Sequence, residues 1–131
     1  MNYGVDIVAA LIEHSTNSEN FLVQYRSMDK HPSSYPGWLE FPGGKVEPED
    51  VNLVEALYRE VKEETGIIAL DSKKLCTMEY KFPSGLIHNV HFYVIDSTSY
   101  TGLAYGAEGQ KIGWLSLYQL ITYPKMLPLN R

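Results

Sequence analysis

The sequence predicts an α/β domain in which a mixed β-sheet is layered with helices. Three observations carry that expectation. Short β-branched and apolar runs recur at residues 5–12, 21–25, 74–82, 86–95 and 111–115, the pattern of strands. One segment, residues 50–65, repeats its apolar positions at helical rather than alternating spacing. No internal repeat or low-complexity tract interrupts the 131 residues, a length that suits a single domain around one core.

Taken in order, residues 5–12 form a buried strand, 15–20 a polar turn and 21–25 a second strand. The first 26 residues therefore read as a hairpin. Residues 27–37 carry prolines, serines and a glycine and read as a loop, and 38–41 as a short extended piece ending at Pro42. Gly43-Gly44 lies upstream of the helix at loop-to-helix distance; paired glycines alone usually mark turns. In the helix that follows, Val54, Leu57, Tyr58, Val61 and Thr65 share one face, and Glu60, Glu63 and Glu64 share the opposite one. Ala56 lies one turn before Glu60 and leaves the glutamate face low and open. Asp50 or Asn52 caps the helix start, and Gly66 stops it. Residues 74–82 and 86–95 form strands around a Pro83-Ser84-Gly85 turn, 105–110 a glycine loop, 111–115 a strand, and 116–121 a short helix capped by Ser116.

Composition narrows the function. The chain is 44% hydrophobic and 21% charged, ordinary for a globular protein. Its net charge of −5 argues against a long nucleic acid held through its backbone. An acidic chain still binds a polyphosphate when a divalent cation carries charge between them. The single cysteine, Cys76, forms no internal disulfide, which fits a reducing compartment and a cytoplasmic location. The first ten residues lack a basic leader, and no apolar run approaches the ~18–20 residues of a membrane span, so no membrane partner is expected.

The chemistry concentrates between Gly43 and Ile67. Side chains three and four apart on a helix are neighbours, with Cβ atoms about 5–6 Å apart. Glu60, Glu63 and Glu64 therefore repel one another unless a cation stands among them. Arg59 can reach Glu63 at i+4. An acidic helix face alone is usually just solvated. Here two glycines lie upstream, where backbone can approach a ligand closely. Together they point to a hard divalent cation held by oxygen ligands. His88 and His91 lie an odd number apart on one strand and face opposite ways, so they share no metal.

This run resembles the Nudix box: Gly, five residues, Glu, seven residues, Arg-Glu, apolar, any, Glu-Glu, any, Gly, apolar. Gly44, Arg59, Glu60, Val61, Glu63, Glu64, Gly66 and Ile67 match in order. Asp50 stands where the family has glutamate, and eight residues rather than seven separate it from Arg59. Asp50 with its shorter reach, or Glu49, would support the arginine. Residues 38–47, Tyr80-Lys81-Phe82-Pro83 and Gly106-Ala107-Glu108-Gly109-Gln110 are similar to parts of the MutT subgroup, so the likeness runs from about residue 5 to 120.

The resemblance implies a Nudix-type α/β/α sandwich with a mixed sheet. It implies Mg²⁺- or Mn²⁺-dependent hydrolysis of a nucleoside diphosphate linked to another group, and for the MutT type cleavage of a nucleoside triphosphate to monophosphate and pyrophosphate. Glu60, Glu63, Glu64, Glu108 and the Gly43 carbonyl would hold metal. Glu64 or Glu108 would act on the water, and Arg59 would fix the glutamates. Lys45 is the candidate phosphate contact, Phe82 the candidate stacking residue, and Arg26 a further nucleotide contact. Leu127 falls about where the MutT type reads oxidised guanine through an asparagine; it can pack on a base but not hydrogen-bond its edge. Alternatives on the same fold are another substrate, such as a nucleotide-sugar, or an inactive nucleotide-binding domain. The family's last helix usually continues beyond such a proline stretch; here either one outer layer is thin or a second copy of the chain, in a homodimer, covers that face.

Overall fold

The computed structural model describes residues 3–25, 39–106 and 111–122. Strand β1 (Tyr3–Ile12) is central to a four-stranded sheet of order β4-β1-β7-β6, in which β4 is Gly43–Lys45, β6 is Lys73–Lys81 and β7 is Leu86–Ile95. β1 and β7 run parallel over ten residue pairs, from Tyr3 opposite Leu86 to Ile12 opposite Ile95; the other pairs in this sheet are antiparallel. A three-stranded sheet has the order β3-β2-β9, with β2 at Asn20–Tyr25, β3 at Leu39–Glu40 and β9 at Ile112–Ser116. The two-residue strands β5 (Ile68–Ala69) and β8 (Tyr100–Thr101) pair antiparallel.

The predicted hairpin of the first two strands does not form. β1 and β2 belong to different sheets, linked by one bridge, Glu13 to Phe21, and by the His14 N–H donating to the Asn20 carbonyl at 2.9 Å. Both runs are apolar enough to be central strands, so each takes its own partners. Gly43-Gly44, with Lys45, forms edge strand β4.

Helix α1 (Leu53–Thr65) begins at Asn52, whose side chain accepts from the Glu55 N–H at 2.8 Å. It ends at Gly66, which is left-handed (φ 76°) and donates its N–H to the Lys62 carbonyl. The helix buries Ala56, Leu57, Val61 and Thr65. Ala56 thus lies in the core, not on an open glutamate face. It packs with Val8, Ala10, Ile12, Tyr93 and Ile95 of the first sheet and Leu22 of the second. Along the second sheet, Leu22, Ile112 and Trp114 face this α1 core, while Val23, Leu39 and Leu115 face Leu120 of helix α2 (Leu117–Thr122). The second sheet is therefore layered between two helices, as expected. Ser116 and Gln119 cap α2 reciprocally, each side chain accepting from the other's N–H at 3.2 and 2.8 Å. No described helix is long and apolar enough to cross a membrane.

Candidate active site

The site forms where α1 crosses the free edge of β4. Ala10 donates to the Pro42 carbonyl and Val46 to the Asp6 carbonyl, so even-numbered residues of this segment bond to β1. In an antiparallel pair the residues between them turn both polar groups the other way. The N–H and C=O of Gly43 and Lys45 accordingly point off the sheet edge toward α1. The Gly43 N–H reaches Oε1 of Glu64 at 3.4 Å, and the Lys45 carbonyl accepts from Nη2 of Arg59 at 3.4 Å.

Glycine is required twice for this approach. A Cβ on Gly43, at φ 156°, would run into the Val8 carbonyl oxygen. A Cβ on Gly44 would sit 2.6 Å from Oε2 of Glu60, so the Glu60 carboxylate lies directly over that residue.

Arg59 organises the carboxylates. Its Nε and Nη2 hold Oδ1 and Oδ2 of Asp50 at 2.9 and 2.8 Å, a two-point fork. Its Nη1 reaches Oε1 of Glu60 at 2.9 Å and Oε2 of Glu63 at 3.3 Å, with Oε1 of Glu47 at 3.9 Å. The bond from Arg59 holds the Asp50 carboxyl down at about 2. The bond to Asp50, followed by that to Glu60, pushes the guanidinium upward against its burial. Asp50 rather than Glu49 thus supports the arginine. The extra residue of the box is absorbed in the loop before α1, where Val51 is 80% exposed.

Glu64 has the most perturbed environment. Burial, then the charges of Glu60 and Glu40, push its carboxyl up to about 8; the amide of Gln24 and the Gly43 N–H pull the other way. Burial, opposed by Arg59, raises the Glu60 carboxyl too. Gln24 pairs with Glu40 across β2 and β3 and is fully buried. Neither amide atom of Gln24 completes a hydrogen bond among the described residues, an arrangement that costs about 1–3 kcal/mol per group. Sequence reading missed Gln24 and Glu40. The available signal was a polar residue set inside each of two apolar runs, Leu22-Val23-Gln24-Tyr25 and Leu39-Glu40-Phe41.

Among the described residues, no three His, Cys, Asp or Glu side chains converge as a ready-made metal cage; Glu60 and Glu63 are turned onto Arg59 instead. The donor set still fits a hard divalent cation. It consists of carboxylates and a carbonyl edge, and a cation would offset both the burial and the neighbouring carboxylate charges that raise Glu64.

The structure brings Gly43, Arg59, Glu60, Glu63 and Glu64 together. Lys45 and Phe82 belong to the other side of the first sheet, away from α1. There the rings of His88 and Phe82 meet in a T-shaped contact (centroids 4.8 Å apart), and burial, then the Lys45 charge, lowers the His88 pKa. His91 faces the opposite way and bonds Asp6 at 3.0 Å and Thr77 at 3.0 Å. Arg26, Glu108 and Leu127 lie outside the described residues.

The model of the NUDIX domain matches residues 5–131. The chain is 35% identical over 82 residues to an 8-oxo-dGTP diphosphatase of Haemophilus influenzae, covering 63% of this chain and 57% of that protein. It is 32% identical over 120 residues to a CTP pyrophosphohydrolase of Escherichia coli, covering 92% and 82%. The solution structure of the E. coli ORF135 protein superposes with a TM-score of 0.77 at 30% identity, covering 97% of this chain and 83% of that one. With the box residues gathered as described, the chain belongs to the NUDIX family, in its MutT-like group.

Proposed function

We propose that this chain, as a single NUDIX domain, is a nucleotide pyrophosphohydrolase that cleaves a nucleoside triphosphate to the monophosphate and pyrophosphate. The observation that carries this is Glu64, a buried carboxyl at the Gly43 edge beside Glu60. Glu60, Glu63, Glu64 and the Gly43 carbonyl would hold Mg²⁺ or Mn²⁺, with Glu108 as a further ligand. When bound, the ion neutralises phosphate oxygens and acidifies a coordinated water.

The chain's own groups do the rest. Glu64 accepts a proton from the attacking water and directs it at phosphorus; Glu108 is the other candidate for that task. Arg59, anchored on Asp50, keeps Glu60 and Glu63 from swinging away. Arg26 and Leu127 are nucleotide contacts; Lys45 and Phe82, on the face of the first sheet away from α1, have no part in this site. Two relatives are named for different nucleotides, 8-oxo-dGTP and CTP, so the reaction is proposed for no particular base. Leu127 favours a substrate read by packing rather than by hydrogen bonds to oxidised guanine. A cytoplasmic, pool-sanitising role accords with this chemistry, and a homodimer is retained as the assembly to test.

Pyrophosphate release from a panel of nucleoside triphosphates and nucleotide-sugars, with and without Mg²⁺, tests the reading. Mg²⁺-dependent release from at least one triphosphate is expected, and Glu64→Gln lowers turnover by about 10² or more while the protein stays folded. A folded wild type that splits none of the panel, or a Glu64→Gln variant with unchanged turnover, overturns it.

A further inference from the structure

Gln24 is a polar residue where the fold asks for an apolar one. It follows Leu22 and Val23 in β2, all three fully shielded from solvent, and it pairs with Glu40 on one side and Ile112 of β9 on the other. Side chains alternate along a strand. Leu22 faces the α1 core, so Gln24, two residues on, faces the same way, toward Glu64. Both amide atoms are buried without a hydrogen-bond partner among the described residues. Its neighbours on that side, Glu40 and Glu64, are acceptors when ionised, and a primary amide carries the N–H donors they lack.

We infer that Gln24 is a positioning residue for the candidate active site, its side-chain amide donating to the Glu64 carboxylate and fixing the direction in which that carboxylate meets the attacking water. The inference rests on the proposed hydrolysis for its catalytic consequence. The buried placement of the amide on the α1 side does not depend on it. The side chain touches no substrate and acts through Glu64, as outer-shell partners of metal-ligating carboxylates do.

Two measurements test this. In Gln24→Leu, which keeps the volume and removes the amide, kcat falls about 10-fold or more while KM holds and the melting temperature is equal to or above that of wild type. Gln24→Met serves as a second variant should leucine disturb folding. Independently of activity, the Gln24 side-chain NH₂ resonance, assigned by its loss in the leucine variant, shifts when Mg²⁺ is added and shifts again in Glu64→Gln. Unchanged kcat in both Gln24 variants, or a kcat loss that tracks a fall in melting temperature, overturns the proposal, as does an NH₂ resonance blind to both perturbations. A wild type that hydrolyses no nucleotide while the resonance responds would retire the proposed reaction and keep the contact.

Discussion

Asp50 and Arg59 meet through two parallel hydrogen bonds of 2.9 and 2.8 Å, and the same guanidinium reaches back to Glu60 at 2.9 Å. The loop before α1 therefore sets the position of a glutamate inside it. Asp50→Asn keeps the shape and removes the charge. Steady-state kinetics on this variant are expected to show turnover lower by about 10–100-fold, with Asp50→Glu recovering part of it.

Two residues further on, Asn52 caps α1 without touching the carboxylates. Asn52→Ala should lower unfolding free energy by about 1 kcal/mol and leave turnover as in wild type. Denaturant unfolding and the nucleotide assay together check the contrast. An Asn52 variant with native stability but lost activity would contradict it.

Acid should act through Asp50. Its folded pKa of about 2 lies below the ordinary value of 3.8, so its stabilising contribution is present above about 4 and is lost as pH falls through about 2. The stability gap between wild type and Asp50→Asn should stay constant from neutral pH down to about 4 and close below it. Chemical denaturation in a pH series reads that gap.

Glu64 should act in the opposite direction. Its folded value of about 8 lies above the ordinary 4.5. Folding then favours the protonated form; the contribution is fully present below about 4.5 and gone once pH has risen through about 8. Metal-free wild type should lose stability across that window, Glu64→Gln should not, and Mg²⁺ should restore wild type at pH 8. Thermal melts with and without chelator decide it.

Gly44→Ala places a methyl against the Glu60 carboxylate. Displacing a reacting group by about 1 Å costs on the order of 10²-fold in rate. The variant should fold and lose activity on that scale. Gly43→Ala strikes the β1 backbone instead and should destabilise the protein by about 1–3 kcal/mol, seen as a lower melting temperature.

The parts of this fold written in local spacing were legible in the sequence. Helix α1 was announced by its apolar period, its Asn52 and Gly66 ends and its glutamates, and the β6–β7 hairpin by Pro83-Ser84-Gly85. What local spacing does not encode is which strand takes which partner. β1 and β2 looked like a hairpin because both are apolar and adjacent; the partner of β1 lies more than eighty residues away in β7. Nothing local reveals that Gly43-Gly44 forms an edge strand that must pass under Glu60. Gln24 and Glu40 each showed as a polar residue inside an apolar run, but their significance for the site comes from a sheet crossing the end of α1. Ala56 was misplaced because a residue that small fits either face of a helix, and only packing chooses the core.

The ten-residue parallel union of β1 with β7 also has a temporal side. β1 must wait for residue 95 before its central neighbour exists. α1 and its Arg59–Asp50 fork are local and can assemble sooner, but the Gly43 edge hangs on β1. Distant pairings of this kind pay loop closure first and slow folding. A refolding chain should thus recover helical signal well before it recovers any capacity to grip a metal, and the unsatisfied rim of β1 is what chaperones would be expected to shelter in between.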